Sequence, residues 1–283
     1  MTSQEMKNIY ITLAKMKKDF GVDMITKNPK RAMSIFRDYA SNMKKEQRLF
    51  QICYEGNICQ YLVGEKLLIP EKQDKIVKKL QEELFLDQET LRQLLVVFAL
   101  ILEVRPDEVR EEDLELYEAA AGMGDVLGQC NLGRIFDFGG ETIKRDTQKA
   151  MYWYQKAAEA QDGWAINNIG ALYDYQKEYK KAYSYYEKAA RLGESYSMYS
   201  IAWMYQKGNG VGKDIHKAIQ WYQKAAEAGD SYSYIKLGDI YCIGADVTRD
   251  MDLAMEYYSK AAAHGEVRGY TRIGGIYLMG IHG

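Results

Sequence analysis

One ten-residue block returns along this chain at near-constant intervals, and that periodicity limits the possible folds more than any other feature. WYQKAAEAQD at 153–162 recurs as YYEKAARLGE at 185–194, WYQKAAEAGD at 221–230 and YYSKAAAHGE at 257–266. The first alanine of each pair falls at Ala157, Ala189, Ala225 and Ala261, in steps of 32, 36 and 36 residues. Upstream, LYEAAAGMGD at 116–125 fits the same frame and places Ala120 37 residues before Ala157. A second anchor keeps step with the first: Leu132-Gly133, Ile169-Gly170, Ile201-Ala202, Leu237-Gly238 and Ile273-Gly274. An aromatic follows three residues later each time, at Phe136, Tyr173, Tyr205, Tyr241 and Tyr277. Two independent anchors sharing one period of this length signal stacked supersecondary units.

The units are helical. Only three prolines occur, none after Pro106, and strand-like alternation is absent. In each repeat a helix A carries a large apolar residue, then Gly or Ala, then an aromatic three on. These positions lie on adjacent turns, and the small residue lets a helix B approach closely. Helix B opens at Asp146, Asp214 or Asp250, with Ala150, Ala218 and Ala254 four residues on. Asp at that point is expected as the N-cap. One ring of the following aromatic pair should pack on helix A, with the Ala-Ala step offering a thin surface to the next repeat. A Gly-Asp or Gly-Glu turn ends helix B. A single pair cannot bury its own apolar face, so the pairs must stack.

This pattern resembles the Sel1-like repeat family, relatives of tetratricopeptide repeats with a longer loop between helices A and B. The matching residues are LG-x-x-Y, a glycine-bearing loop, then D-x-x-x-A-x-x-W/Y-Y-x-K-A-A-x-x-G-D/E. The third repeat shows them most fully, from Ile201 through YQKGNGVGKD at 205–214 to Gly229-Asp230. The resemblance covers about 109–283. It implies an all-α fold, an α-α superhelix or solenoid, preceded by a small helical module. The expected division is 1–105 for that module and 106–283 for the repeats, about four full ones plus a truncated last. One departure stands out: the repeat around YDYQKEYKKA at 173–182 lacks four loop residues, which predicts a short, tetratricopeptide-like hairpin and a local change of pitch. YTRIGGIYLMGIHG reads as a helix A without a helix B after it. Because a bare terminal face exposes apolar surface, a longer parent protein or a covering chain is expected, and the uncapped C-terminal end leaves room for self-association.

Residues 1–105 do not share the period. Pro29 and Pro70 mark helix starts, Asp87 is expected to cap LRQLLVVFALILEV at 91–104, and Pro106 helps terminate it. That helix is apolar nearly all round and is expected to be the buried centre of the module. The stretch 28–63 is similar to helical modules that precede repeat or chaperone-related domains in bacterial proteins. The similarity implies a docking or adaptor module of bacterial origin, with no chemistry of its own.

Composition narrows function mostly by exclusion. The formal net charge is −2, split as 18 Lys/Arg against 14 Asp/Glu in 1–105 and 20 against 26 in the remainder. This argues against a nucleic-acid partner and gives no attraction to an anionic membrane. The longest apolar run, Leu94 to Leu102, is far short of the ~20 residues of a bilayer span. With no apolar leader at the N-terminus, a cytoplasmic location is expected. Cys53, Cys59, Cys130 and Cys242 form no CxxC pair and read as reduced structural thiols. His216, His264 and His282 belong to no metal-ligand or catalytic pattern, so neither metal nor cofactor is expected. Gly208 to Gly212 imitates a phosphate loop but lacks the GK[ST] ending and sits at the loop between helices A and B. The acidic pairs Glu82-Glu83 and Glu111-Glu112 read as helix-surface charge. No catalytic constellation emerges, and the chain is read as a non-enzyme.

Tyrosine is the informative excess, with twenty of 24 after residue 105. In the tetratricopeptide-type superhelix, the concave groove is lined by helix A positions six and three before the anchor Gly/Ala, and one and four after it. That frame gives Leu127, Cys130, Arg134 and Asp137; then Trp164, Asn167, Ala171 and Asp174; then Tyr196, Tyr199, Trp203 and Gln206; then Tyr232, Ile235, Asp239 and Cys242. Tyr and Trp bring large contact area at low entropic cost. The expected function is a scaffold or adaptor holding a protein or peptide in that groove. Aromatic anchors come from the third and fourth repeats, and Arg134, Asn167, Asp174 and Asp239 supply polar specificity. The alternatives are a regulatory region of a larger multidomain protein whose active domain lies outside this chain, and an enzyme acting on cell-wall-like substrates. The missing signal sequence, disulfide pattern and catalytic constellation argue against the latter.

Overall fold

The structure is a computed structural model, and it describes residues 3–21, 25, 29–40, 88–102 and 109–278. The described residues form thirteen α-helices and one 3-10 turn, with no strand among them. The helices are α1 Ser3–Phe20, α2 Pro29–Tyr39, α3 Gln88–Leu102, α4 Leu114–Gly122, α5 Val126–Phe138, α6 Thr147–Glu159 and α7 Gly163–Tyr175. They continue as α8 Tyr179–Arg191, α9 Ser195–Lys207, α10 Ile215–Glu227, α11 Ser231–Ile243, α12 Met251–Ala263 and α13 Val267–Leu278. Cys53, Cys59, Glu82, Glu83, His282, the helix expected after Pro70, the cap at Asp87, the stop at Pro106 and most of the stretch 28–63 lie outside the described residues. The chain forms two compact units, Met1–Lys156 and Ala157–Gly283.

In the N-terminal unit α1 presents Met6, Ile9, Tyr10, Leu13 and Met16 at helical spacing, all buried. They join Phe36 of α2, Leu94, Val97, Phe98 and Ile101 of α3, Leu116 and Tyr117 of α4 and Leu132 of α5 in one core. As expected from its apolar sequence, α3 is buried on all sides from Leu94 to Ile101. The helix starting at Pro29 forms too. The described N-terminal helices therefore share their core with the start of the repeats.

The C-terminal unit is a run of helix pairs, α7 with α8, α9 with α10 and α11 with α12, each helix also packing on the next in sequence, and α13 on α12. The pairs follow the A–B reading of the sequence. Asp214 accepts from the amide of Lys217 at 3.0 Å and Asp250 from that of Leu253 at 2.9 Å. In the N-terminal unit Asp146 does the same for Gln148 and Lys149. The shortened repeat turns through Gln176 to Glu178, with Lys177 left-handed at φ 62°. The first alanine of every Ala-Ala step, from Ala120 to Ala261, is fully buried.

In three pairs a tyrosine ring lies directly on a glycine, while α9 carries Ala202 at that position. A Cβ at Gly238 would lie 2.5 Å from the ring of Tyr258, one at Gly170 2.8 Å from Tyr186 and, in the N-terminal unit, one at Gly133 2.6 Å from Tyr154. No real side chain tolerates such distances, so the ring sets the spacing of helices A and B. A second small residue stands five before each anchor, and at Gly128 and Gly269 it lies against the preceding helix B. Gly128, Ala165, Ser197, Ser233 and Gly269 occupy it, and all are buried. At Gly128 an added Cβ would meet that of Ala120 at 2.5 Å.

The turns leaving helix B add another constraint. Gly229 sits at φ +104°, and Asp230 after it caps α11 through the amide of Ser233. The equivalent of Gly229 after α6 is Gln161, held at φ 60° despite its Cβ. Two outcomes follow for denaturant unfolding. Gly238→Ala should lower stability by about 1–3 kcal/mol through overpacking against Tyr258. Gln161→Gly should raise it by roughly 0.5–1 kcal/mol by relieving the left-handed strain.

Candidate protein-binding surface

The expected lining positions divide between the two units. In the N-terminal unit Arg134 and Asp137 are half-buried on α5. Asp137 accepts from Arg145 Nη2 at 3.1 Å, and the Arg134 charge opposes the upward push that burial gives the hydroxyls of Tyr117 and Tyr154. Leu127 and Cys130 are sealed in the core, so they line no surface.

In the C-terminal unit several polar positions already serve the fold. On α7, Asn167 Oδ1 accepts from Ser197 Oγ at 2.8 Å, tying one helix A to the next. Burial raises the carboxyl pKa of Asp174, whose charge is felt by Tyr186. Gln206 accepts from the Tyr222 hydroxyl at 2.9 Å, and Asp239 from the Tyr258 hydroxyl at 2.8 Å. Asp239 also pairs with Arg272 Nε at 3.0 Å. Two of the tyrosines seated on a helix A, Tyr222 and Tyr258, thus find a polar partner among the groove positions. Ile235 is buried in the core, Cys242 is half-buried and Ala171 is exposed.

The aromatic positions are arranged differently. Tyr196 is 60% exposed, and Trp164, Tyr199, Trp203 and Tyr232 are half-buried. Tyr199 packs on Tyr222 and Tyr232, with ring centroids 5.5 and 5.8 Å apart. Burial, with Tyr232 and Asp230 nearby, pushes its phenol up to about 12. Lys207 Nζ lies 4.6 Å and Lys236 Nζ 5.3 Å from the Trp203 ring centroid. Lys236 also reaches Tyr232 at 5.0 Å, and Arg268 covers that ring at 4.8 Å. The sequence frame missed these cations, although their spacing held a signal. Lys207 and Lys236 stand four residues after Trp203 and Tyr232, one helical turn on. On α13, Val267, Tyr270, Tyr277 and Leu278 are exposed, and no atom within 4 Å would meet a Cβ on Gly274.

Elsewhere the chemistry is sparse. Among the described residues no group of three or more His, Cys, Asp and Glu could hold a metal ion, and no helix is long and apolar enough to cross a membrane. His216 is exposed in the first turn of α10, and His264 caps the end of α12 through Nδ1 and the Lys260 carbonyl at 2.8 Å. The glycine loop after α9 is structural: Gly210 lies against the backbone of Tyr179, with an added Cβ only 2.8 Å away.

The family model described as the Sel1 repeat matches residues 126–162, 165–194, 195–230 and 231–266, and its segments follow the pairs α5–α6 to α11–α12. Residues 126–266 are Sel1 repeats. A solved Sel1 repeat protein from Oxalobacter formigenes is 27% identical, with a TM-score of 0.56 over 81% of this chain and 89% of that one. A protective antigen present in uropathogenic Escherichia coli strains, displaying an SLR fold, superposes with a TM-score of 0.53 at 23% identity over 84% of this chain and 58% of that one, a likeness of fold alone. Among curated relatives, the ERAD-associated E3 ubiquitin-protein ligase component HRD3B of Arabidopsis thaliana is 31% identical over 37% of this chain. The chitin synthase regulator SKT5 of Saccharomyces cerevisiae is 29% identical over 40%. The chain spans 17% of the length of each of these two relatives.

The buried tyrosines of the Sel1 repeats set a pH limit. Tyr199 keeps its proton in the fold up to about 12, and burial moves Tyr186, Tyr222 and Tyr258 in the same direction. In the unfolded chain a phenol ionises near pH 10. A raised folded pKa favours the fold fully below 10 and loses its effect as pH climbs through the folded value. Melting temperature should therefore hold steady up to pH 10 and fall by roughly 5 °C or more by pH 12, with Tyr199→Phe reducing the fall.

Proposed function

We propose that this chain is a non-catalytic scaffold or adaptor whose Sel1 repeats hold a protein or peptide partner. Contact runs across the helix A faces of α7, α9 and α11, through Trp164, Tyr196, Tyr199, Trp203 and Tyr232. The observation that carries this reading is the set of large rings left partly open on the successive A helices α7, α9 and α11, after the helix B tyrosines have taken the anchor sites. Such rings lose little side-chain entropy on binding and dominate many interfaces. Asn167, Gln206 and Asp239, held in place by the internal bonds described above, act with Asp174 as the polar surround. The relatives support the reading, one being a component of a ligase and the other a regulator of a synthase.

The test uses the full chain as bait in its source cell, against a Trp203→Ala variant checked for an unchanged helical spectrum. A partner retained by the first and lost by the second, by roughly tenfold or more, is the expected outcome. Equal retention by both would remove this surface from the function.

A further inference from the structure

Cations cover two rings of the proposed surface, Trp203 and Tyr232, and their arrangement narrows the class of partner. Lys207, Lys236 and Arg268 form a ladder with Trp203 and Tyr232 across α9, α11 and α13, every step within 5.3 Å of a ring centroid. The carboxylates in the vicinity are occupied. Asp239 holds Arg272 and the Tyr258 hydroxyl, and Asp230 caps α11 and takes the amide of Ser233 at 3.0 Å. Glu266 accepts from the amide of Arg268 at 3.2 Å and stands 3.9 Å from its Nε. Among the described residues, none pairs with Lys207 or Lys236. Their ammonium groups rest on ring faces and keep outward N–H donors without an anionic acceptor.

We propose that these residues receive an acidic segment of a partner protein, its Asp and Glu side chains reaching the cations while intervening apolar side chains lie on the open edges of Tyr196 and Trp203. The inference rests on the scaffold reading above and specifies its ligand. Charge complementarity carries it: three positive groups stand on the successive A helices α9, α11 and α13, and the rings beneath hold them in position. The same geometry argues against single-stranded nucleic acid, because bases stack on uncovered aromatic faces and here ammonium and guanidinium groups lie over them.

Selection of a displayed random peptide library on the full chain tests this, with Lys236→Glu, Trp203→Ala and a Lys207→Glu/Arg268→Glu variant alongside. Lys207 and Arg268 are exposed, so the double variant serves even where Lys236→Glu fails to fold. Enriched peptides should carry an excess of Asp and Glu over the input. They should bind the charge-reversed variants about tenfold more weakly than the parent, and should weaken as salt rises. Enriched peptides without acidic bias that Trp203→Ala still abolishes would overturn the acidic ligand and leave the scaffold reading intact. Enrichment indifferent to every variant would sink both. A selection that yields nothing, or an oligouridylate that binds more tightly than the best peptide and displaces it, also overturns the proposal.

Discussion

The packing of the helix pairs depends on a tyrosine ring of helix B seated on a small residue of helix A, glycine in three pairs and Ala202 in the other. Where helix A carries Gly170 or Gly238, the ring of Tyr186 or Tyr258 takes the space a Cβ would fill. Burying a ring of this size contributes on the order of 2 kcal/mol. Its larger effect is geometric, because the contact fixes how near helix B comes. Where Gly128 or Gly269 stands five residues before the anchor, the buried Ala-Ala step of the preceding helix B lets the next helix A come close as well. Two rows of small residues and one row of rings suffice to propagate the stack.

That row of rings also governs the polar residues near it. A phenol drawn into a tight interface must find an acceptor for its proton, and unpaired burial is costly. Gln206 and Asp239 meet the need for Tyr222 and Tyr258. Positions read from sequence as groove polarity are thus partly internal machinery. The open chemistry falls instead to the aromatic residues and to cations one helical turn away, which hold each other by stacking rather than by ion pairing.

At the start of the repeats the stack meets a different solution to its exposed face. A first repeat has no predecessor to cover it, and a solenoid needs some element there. The apolar faces of α1, α2 and α3 share a core with α4 and α5, so Leu116, Tyr117 and Leu132 are buried with no earlier repeat.

The sequence by itself determined the periodic part: the helix pairs, their aspartate caps, the glycine seats and the short turn in the second repeat. Each rests on local spacing, since 3.6-residue periodicity, capping and left-handed turns are properties of a few neighbouring residues. The small residue five before each anchor was equally legible from the period and passed unremarked, because Gly, Ala and Ser share no single letter. Tertiary structure alone decided which candidate positions remain open. Leu127, Cys130 and Ile235 fit the same frame as Trp203 and Tyr232, yet they are sealed while the rings stay partly exposed. Likewise Lys236 reaches Trp203 from 33 residues away in the chain. Burial and cross-repeat contacts arise from how whole helices pack, and linear spacing carries no measure of that.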